Sequence, residues 1–161
     1  MIKKILIVLL LAFIVIQFIR PAKNISTAAE PAAITKVFAV PDSVNKIFEK
    51  ACYDCHSNNT RYPWYNNIQP VYWWMNDHIT KGKQKLNFSD YGSYPLKKQA
   101  KRLKDIAKEV EDGGMPLDSY TWIHKDAILT AEEKATLIGW ARNTRLKMLS
   151  EHVIDTTEKK K

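Results

Sequence analysis

Two cysteines three positions apart, with a histidine directly behind them, are the tightest constraint in this chain. They lie in "ACYDCHSN", from Ala51 to Asn58, and they are the only cysteines among 161 residues. A thiol can add across each of the two vinyl groups of haem to form a thioether. Cysteines spaced C-x-x-C near the end of a helix reach both vinyls, and the next residue then lies beneath the iron, where an imidazole coordinates it. On this reading Cys52 and Cys55 hold one covalent haem c, and His56 is the proximal ligand to its iron.

Three other uses of such a pair fit less well. A structural zinc site needs four ligands, usually with a second pair at similar spacing. The remaining histidines, His78, His124 and His152, form no such pair. A thioredoxin-like redox pair belongs in alternating strands and helices, and no strand alternation is legible. A plain disulfide leaves His56 without a role.

The start of the chain places the motif outside the cytoplasm. "MIKKILIVLLLAFIVIQFIR" puts two lysines before an apolar run from Ile5 to Ile19, interrupted at Gln17. This is the pattern of an export signal. Its length, counted from Met1, approaches the roughly 17 residues needed to span a bilayer. Residues 1–20 are therefore expected to form an uncleaved transmembrane helix in the cell inner membrane, with the body facing the periplasm. Cleavage near Ala29, giving a soluble periplasmic protein, is the alternative. The net charge is +8, and eight basic residues between Lys81 and Lys104 face a single acid, Asp90. Such a stretch suits an acidic redox partner or a solvated helix face. Nucleic acid is not expected as a partner of an exported chain.

The rest reads as all-α. Residues 21–39 are small, polar and proline-bearing, as in a flexible linker. A haem-binding domain is expected over 40–150, with a charged tail over 151–161. Val44, Ile47, Phe48 and Ala51 share one face of a first helix, capped by Asp42 or Ser43. Pro70 opens a second helix that Gly82 stops, and Pro95 opens a third that ends at Gly113-Gly114. Thr130 and Glu133 make a capping box for the last helix.

The iron takes a sixth ligand unless that position is kept open for chemistry. Met115, in "DGGMPLDSY", stands in a loop between the third and fourth helices. A thioether there raises the reduction potential. His78, on the second helix, is the alternative and would give a bis-histidine haem of lower potential. Met75 and His124 are lesser candidates. A backbone carbonyl, that of Pro63 among them, is expected to hold the other ring nitrogen of His56. Arg61, Tyr62, Trp64 and Trp73 either line the haem or pack in the core.

A helix running into C-x-x-C-H, a late Met-Pro loop and then "LTAEEKATLIGWA" resembles the class I cytochrome c pattern. More narrowly, "CYDCHSNNTRYPWYNNIQPVYWWMNDHITKGKQKLNFSDY" resembles the bacterial haem-binding-domain family of monohaem c-type proteins, over roughly Val40 to Arg142. The resemblance implies a cytochrome c-like helical domain at the cell envelope, and no particular reaction. The loop after the haem motif is longer than in small class I cytochromes, so Met115 and His78 both stay in play. The expected function is electron transfer, with no catalytic residue. The alternative is a haem enzyme or sensor, peroxidase-like or gas-binding, with a labile distal site.

Overall fold

The structure, a computed structural model, describes residues 1–158, with side chains through Glu151. The described residues form helices and connecting turns, with no strand. Eight helices follow in order: α1 (Ile2–Ile16), α2 (Ile34–Val37), α3 (Asp42–Ala51), α4 (Tyr53–His56), α5 (Val71–Lys85), α6 (Leu96–Glu111), α7 (Asp118–Thr121) and α8 (Ala131–Glu158). Short 3-10 turns stand at Trp64–Asn67, Tyr91–Ser93 and Lys125–Ala127.

The core sits where α3, α6 and α8 meet. Leu103, Ile106, Ala107 and Val110 form the apolar stripe of α6, and Leu137 and Ala141 answer it from α8. Phe48 of α3 is fully buried, with Phe88 at 4.6 Å and Trp140 at 5.5 Å between ring centres. Deleting such a side chain costs about 3–5 kcal/mol. The predicted capping box forms at the start of α8. Thr130 N donates to Glu133 Oε2 at 2.9 Å, and Glu133 N donates to Thr130 Oγ1 at 3.2 Å. At α3 the cap position falls on Pro41, with no side-chain cap from Asp42 or Ser43. α6 opens after Pro95 and ends before Gly113, whose φ of 75° only glycine adopts readily.

Three sequence expectations change. α1 is a helix of 15 residues, none of them buried. At 1.5 Å per residue it is about 22 Å long, short of the roughly 30 Å hydrocarbon core. No described helix is long and apolar enough to cross a membrane, so the transmembrane helix over 1–20 is corrected to this shorter element. The helix ends because the side chain of Gln17 turns to the body: Gln69 N donates to Gln17 Oε1 at 2.9 Å. The stretch 21–39, expected as a flexible linker, is a docked strap. Ile34 is 1% exposed in the core, and its N–H donates to Phe88 O at 2.8 Å. Asn24 holds Ser57 O and Thr60 Oγ1, each at 2.9 Å. Of the expected tail, α8 runs on to Glu158, and residues 159–161 lie outside the described residues.

Candidate functional site

Cys52 stands at the joint between α3 and α4, with φ −127° and ψ −46°. Its N–H closes α3 on Phe48 O at 2.9 Å. Its carbonyl starts α4 by accepting from Cys55 N at 3.2 Å and His56 N at 3.0 Å. This joint brings both thiols and the imidazole into one short turn. Both thiols are free. Burial, with a smaller contribution from Cys55, pushes the Cys52 thiol up to about 12. Burial, then the Asp54 charge, pushes Cys55 up to about 11. Burial thus disfavours the thiolate at both cysteines, in contrast to the low-pKa thiols of redox motifs.

His56 is fixed on its far side. Its Nδ1 lies 3.0 Å from both Gly82 O and Leu86 O, and its own carbonyl accepts from Phe88 N at 2.7 Å. Carbonyls only accept, so Nδ1 carries the proton and the Nε2 lone pair is left for a metal. Burial lowers the His56 pKa, against the raising effect of those two carbonyls, which favours the neutral ring. The carbonyl partners come from the end of α5 rather than from Pro63.

Gly82 makes this possible. A Cβ at this position would lie 2.7 Å from Cys55 O and 3.3 Å from Cys55 Cβ. Only glycine lets α5 press against α4 closely enough for the carbonyl of residue 82 to meet the imidazole. The sequence suggested a helix stop at Gly82, but α5 continues to Lys85.

Two adjoining clefts open beside the motif. One, of about 200 Å³, is lined by Cys55, His56, His78, Gly82, Met115 and Tyr120, among others. The other, of about 170 Å³, is lined by Cys52, His56, Leu86, Ile106, Val110 and Met115, among others. Each cysteine faces its own cleft, while His56 and Met115 border both. A third cleft of about 90 Å³ continues past Cys55 to Trp74, Met75, Ile123 and His124. A larger cavity of about 590 Å³ lies between the strap and α3 and touches neither cysteine nor His56. It therefore lies apart from the C-x-x-C-H turn.

Of the predicted ligands, Cys55, His56, Met115 and His78 line one cleft, Cys52, His56 and Met115 the next, and Met75 and His124 the third. Met115 is half-buried, and its N–H donates to Glu109 O at 3.0 Å. His78 Nδ1 lies 2.9 Å from Trp74 O, and its ring sits 4.3 Å from the Trp74 ring. Of the aromatics, Trp64 is exposed, and Trp73 Nε1 donates to Ile19 O at 2.8 Å, outside the clefts.

A buried acid was missed by sequence reasoning. Asp54, the second variable residue of C-x-x-C-H, is 7% exposed. Its carboxylate accepts from Arg61 N at 3.0 Å, Arg61 Nε at 3.1 Å and the Tyr120 hydroxyl at 2.7 Å. This ties the C-x-x-C-H turn to α7. Arg61 is thereby a brace of the motif. Burial first, and then the bond to Asp54, raises the Tyr120 pKa, so its hydroxyl stays a donor. No spacing rule in the sequence links residues 54, 61 and 120.

The residues fit a haem. Two free thiols, an imidazole with one nitrogen spare and two largely apolar clefts converge on one wall. Arg102, which lines the second cleft, donates from Nη1 to Asp105 Oδ2 at 2.8 Å and keeps a buried Nε that has no partner among the described residues. Such a group suits a carboxylate of the kind haem carries at its edge. A helical domain with this wall is a haem-binding protein by class. The chain matches the family described as the haem-binding domain over residues 11–143, and it belongs to that family. The match begins inside α1 and includes the strap. No curated protein and no solved structure matches the chain.

Proposed function

We propose that the chain is a monohaem c-type cytochrome that carries electrons at the cell envelope. The haem is held by thioethers from Cys52 and Cys55, with His56 and Met115 as iron ligands. In each attachment the S–H adds across a vinyl C=C: sulfur bonds one carbon, hydrogen goes to the other, and nothing is released. The haem supplies a one-electron centre. The chain supplies a neutral imidazole, a thioether, a dry wall and basic groups at the rim, Lys81, Lys85 and Arg102. The observation that carries the reading is the double carbonyl grip on His56 Nδ1, which leaves Nε2 free in a turn that also carries two free thiols.

Electron transfer is favoured over an open-site enzyme or sensor because Met115 borders both clefts that His56 borders. The runner-up for the sixth ligand is His78, which borders one of them. The basic groups of α5 and α6 suit an acidic redox partner. An absorption band at the red edge of the visible spectrum, from sulfur-to-iron charge transfer, tests the ligand set. The band is expected in the oxidised protein. Its absence with a six-coordinate iron assigns His78, and a five-coordinate iron favours the enzyme or sensor.

A further inference from the structure

The end of α1 is bolted to the haem domain. Gln69 Nε2 and Trp73 Nε1 both donate to Ile19 O at 2.8 Å, and Arg20 Nη2 donates to Asn67 O at 3.1 Å. The Tyr72 hydroxyl donates to Pro21 O. The segment that receives α1, from Trp64 to Trp74, carries exposed apolar groups: Trp64 at 77%, Ile68, Val71 and Trp74. The Tyr65 hydroxyl, 2.8 Å from His124 Nε2, joins this segment to the loop after α7, where Trp122 is 76% exposed and Ile123 is exposed beside it. Val71, Trp74 and Ile123 line one cleft, so the two parts form one continuous surface.

From this we infer that the surface made by Trp64, Ile68, Val71, Trp74, Trp122 and Ile123 docks on a lipid bilayer, beside the point where α1 leaves the domain. Three observations favour lipid over a protein face. α1 is apolar from Ile5 to Ile16 and buries none of its residues against the domain. The hydrogen bonds at Ile19 and Arg20 fix that helix directly next to the patch, so what takes the helix also meets the patch. Cations fringe it: Arg20 and Lys23 at the foot of α1, and Lys125 beside Trp122, with Asp118 in the same cleft and Asp126 next to Lys125 as the acids there. Exposed tryptophans with nearby lysine and arginine suit the headgroup layer of an anionic membrane. The mode is a domain seated on the interface by a short apolar helix and a rigid aromatic face.

Hydroxyl-radical footprinting of the full haem-loaded chain in phosphatidylcholine–phosphatidylglycerol vesicles tests this, with each site normalised to the denatured chain. Trp64 and Trp122 are expected to be oxidised several-fold less than Leu146, an exposed residue of α8. In Trp64→Glu/Trp122→Glu the protection of Ile68 and Ile123 should be lost. Both tryptophans are so exposed that the fold does not need them. Trp64 and Trp122 reacting as freely as Leu146 would overturn the inference. So would protection that disappears as the protein-to-lipid ratio falls, which would assign the face to a second copy of the chain.

Discussion

The two sides of the haem wall are built differently. On the His56 side, one imidazole nitrogen is gripped by two carbonyls, the backbone is bonded to Phe88, and α5 is pressed in at a glycine. On the Met115 side, the ligand candidate sits half-buried in a loop, with His78 bordering the same cleft. On the proposed reading, the proximal ligand would be set before haem arrives and the distal one by haem. In a c-type protein this division is physically sensible. The proposed covalent links would fix the ring against the motif, and the distal residue would then tune the potential at little cost to folding.

The largest effect should come from the attachment itself. Cys52→Ala/Cys55→Ala should lose all covalent haem, read as the disappearance of the haem-stained band on a denaturing gel. The distal side comes next. Met115→Ala should lose the sulfur band and lower the reduction potential, because a thioether favours ferrous iron. His78→Ala should keep the iron six-coordinate and move the potential less. If His78→Ala gives high-spin iron and Met115→Ala does not, the two ligands exchange roles.

The proximal side should respond with the opposite sign. In Gly82→Ala the new Cβ meets Cys55 O, so α5 must shift, at about 1–3 kcal/mol of stability. The carbonyl grip on Nδ1 loosens, the imidazole becomes a poorer donor, and the potential should rise. Gly139→Ala in α8 is the control. Its Cβ would meet nothing within 4 Å, so it should leave the potential alone and stabilise the helix by about 0.5–1 kcal/mol. A potential unmoved in Gly82→Ala would remove the proximal side's advantage.

The smallest effect concerns α8, which backs the core. The Lys50 ammonium beside Glu133, then the Thr130 backbone, holds its carboxyl below the usual range. A depressed carboxyl stabilises the fold above its unfolded pKa, and that contribution is lost as pH falls through the folded value. Glu133→Ala should cost about 1 kcal/mol at neutral pH through the lost capping box and show little further loss in acid. Thermal melts at two pH values read both.

Local patterns carried most of the fold. The stripe of α6, the capping box and the C-x-x-C-H turn are contacts between neighbours in sequence, and spacing alone reveals them. What escaped were contacts between distant residues. The His56 carbonyls lie 26 and 30 positions on, and Asp54 meets Tyr120 across 66. Gly82 looked like a stop because glycine usually ends helices, whereas here it allows two helices to touch. The strap looked like a linker because its composition is small and polar. Its anchors are the core residue Ile34 and the Asn24 side chain, whose partners Ser57 and Thr60 lie more than 30 positions on.

The central claim rests on two thioethers beside His56, and one digest decides it. Trypsin cleavage after Lys50 and Arg61 releases "ACYDCHSNNTR", which holds both cysteines and His56. Mass spectrometry of that peptide from the haem-loaded protein should show the mass of one whole haem added, with no thiol left to alkylate. A peptide of unmodified mass, with both cysteines alkylated after reduction, would contradict the account.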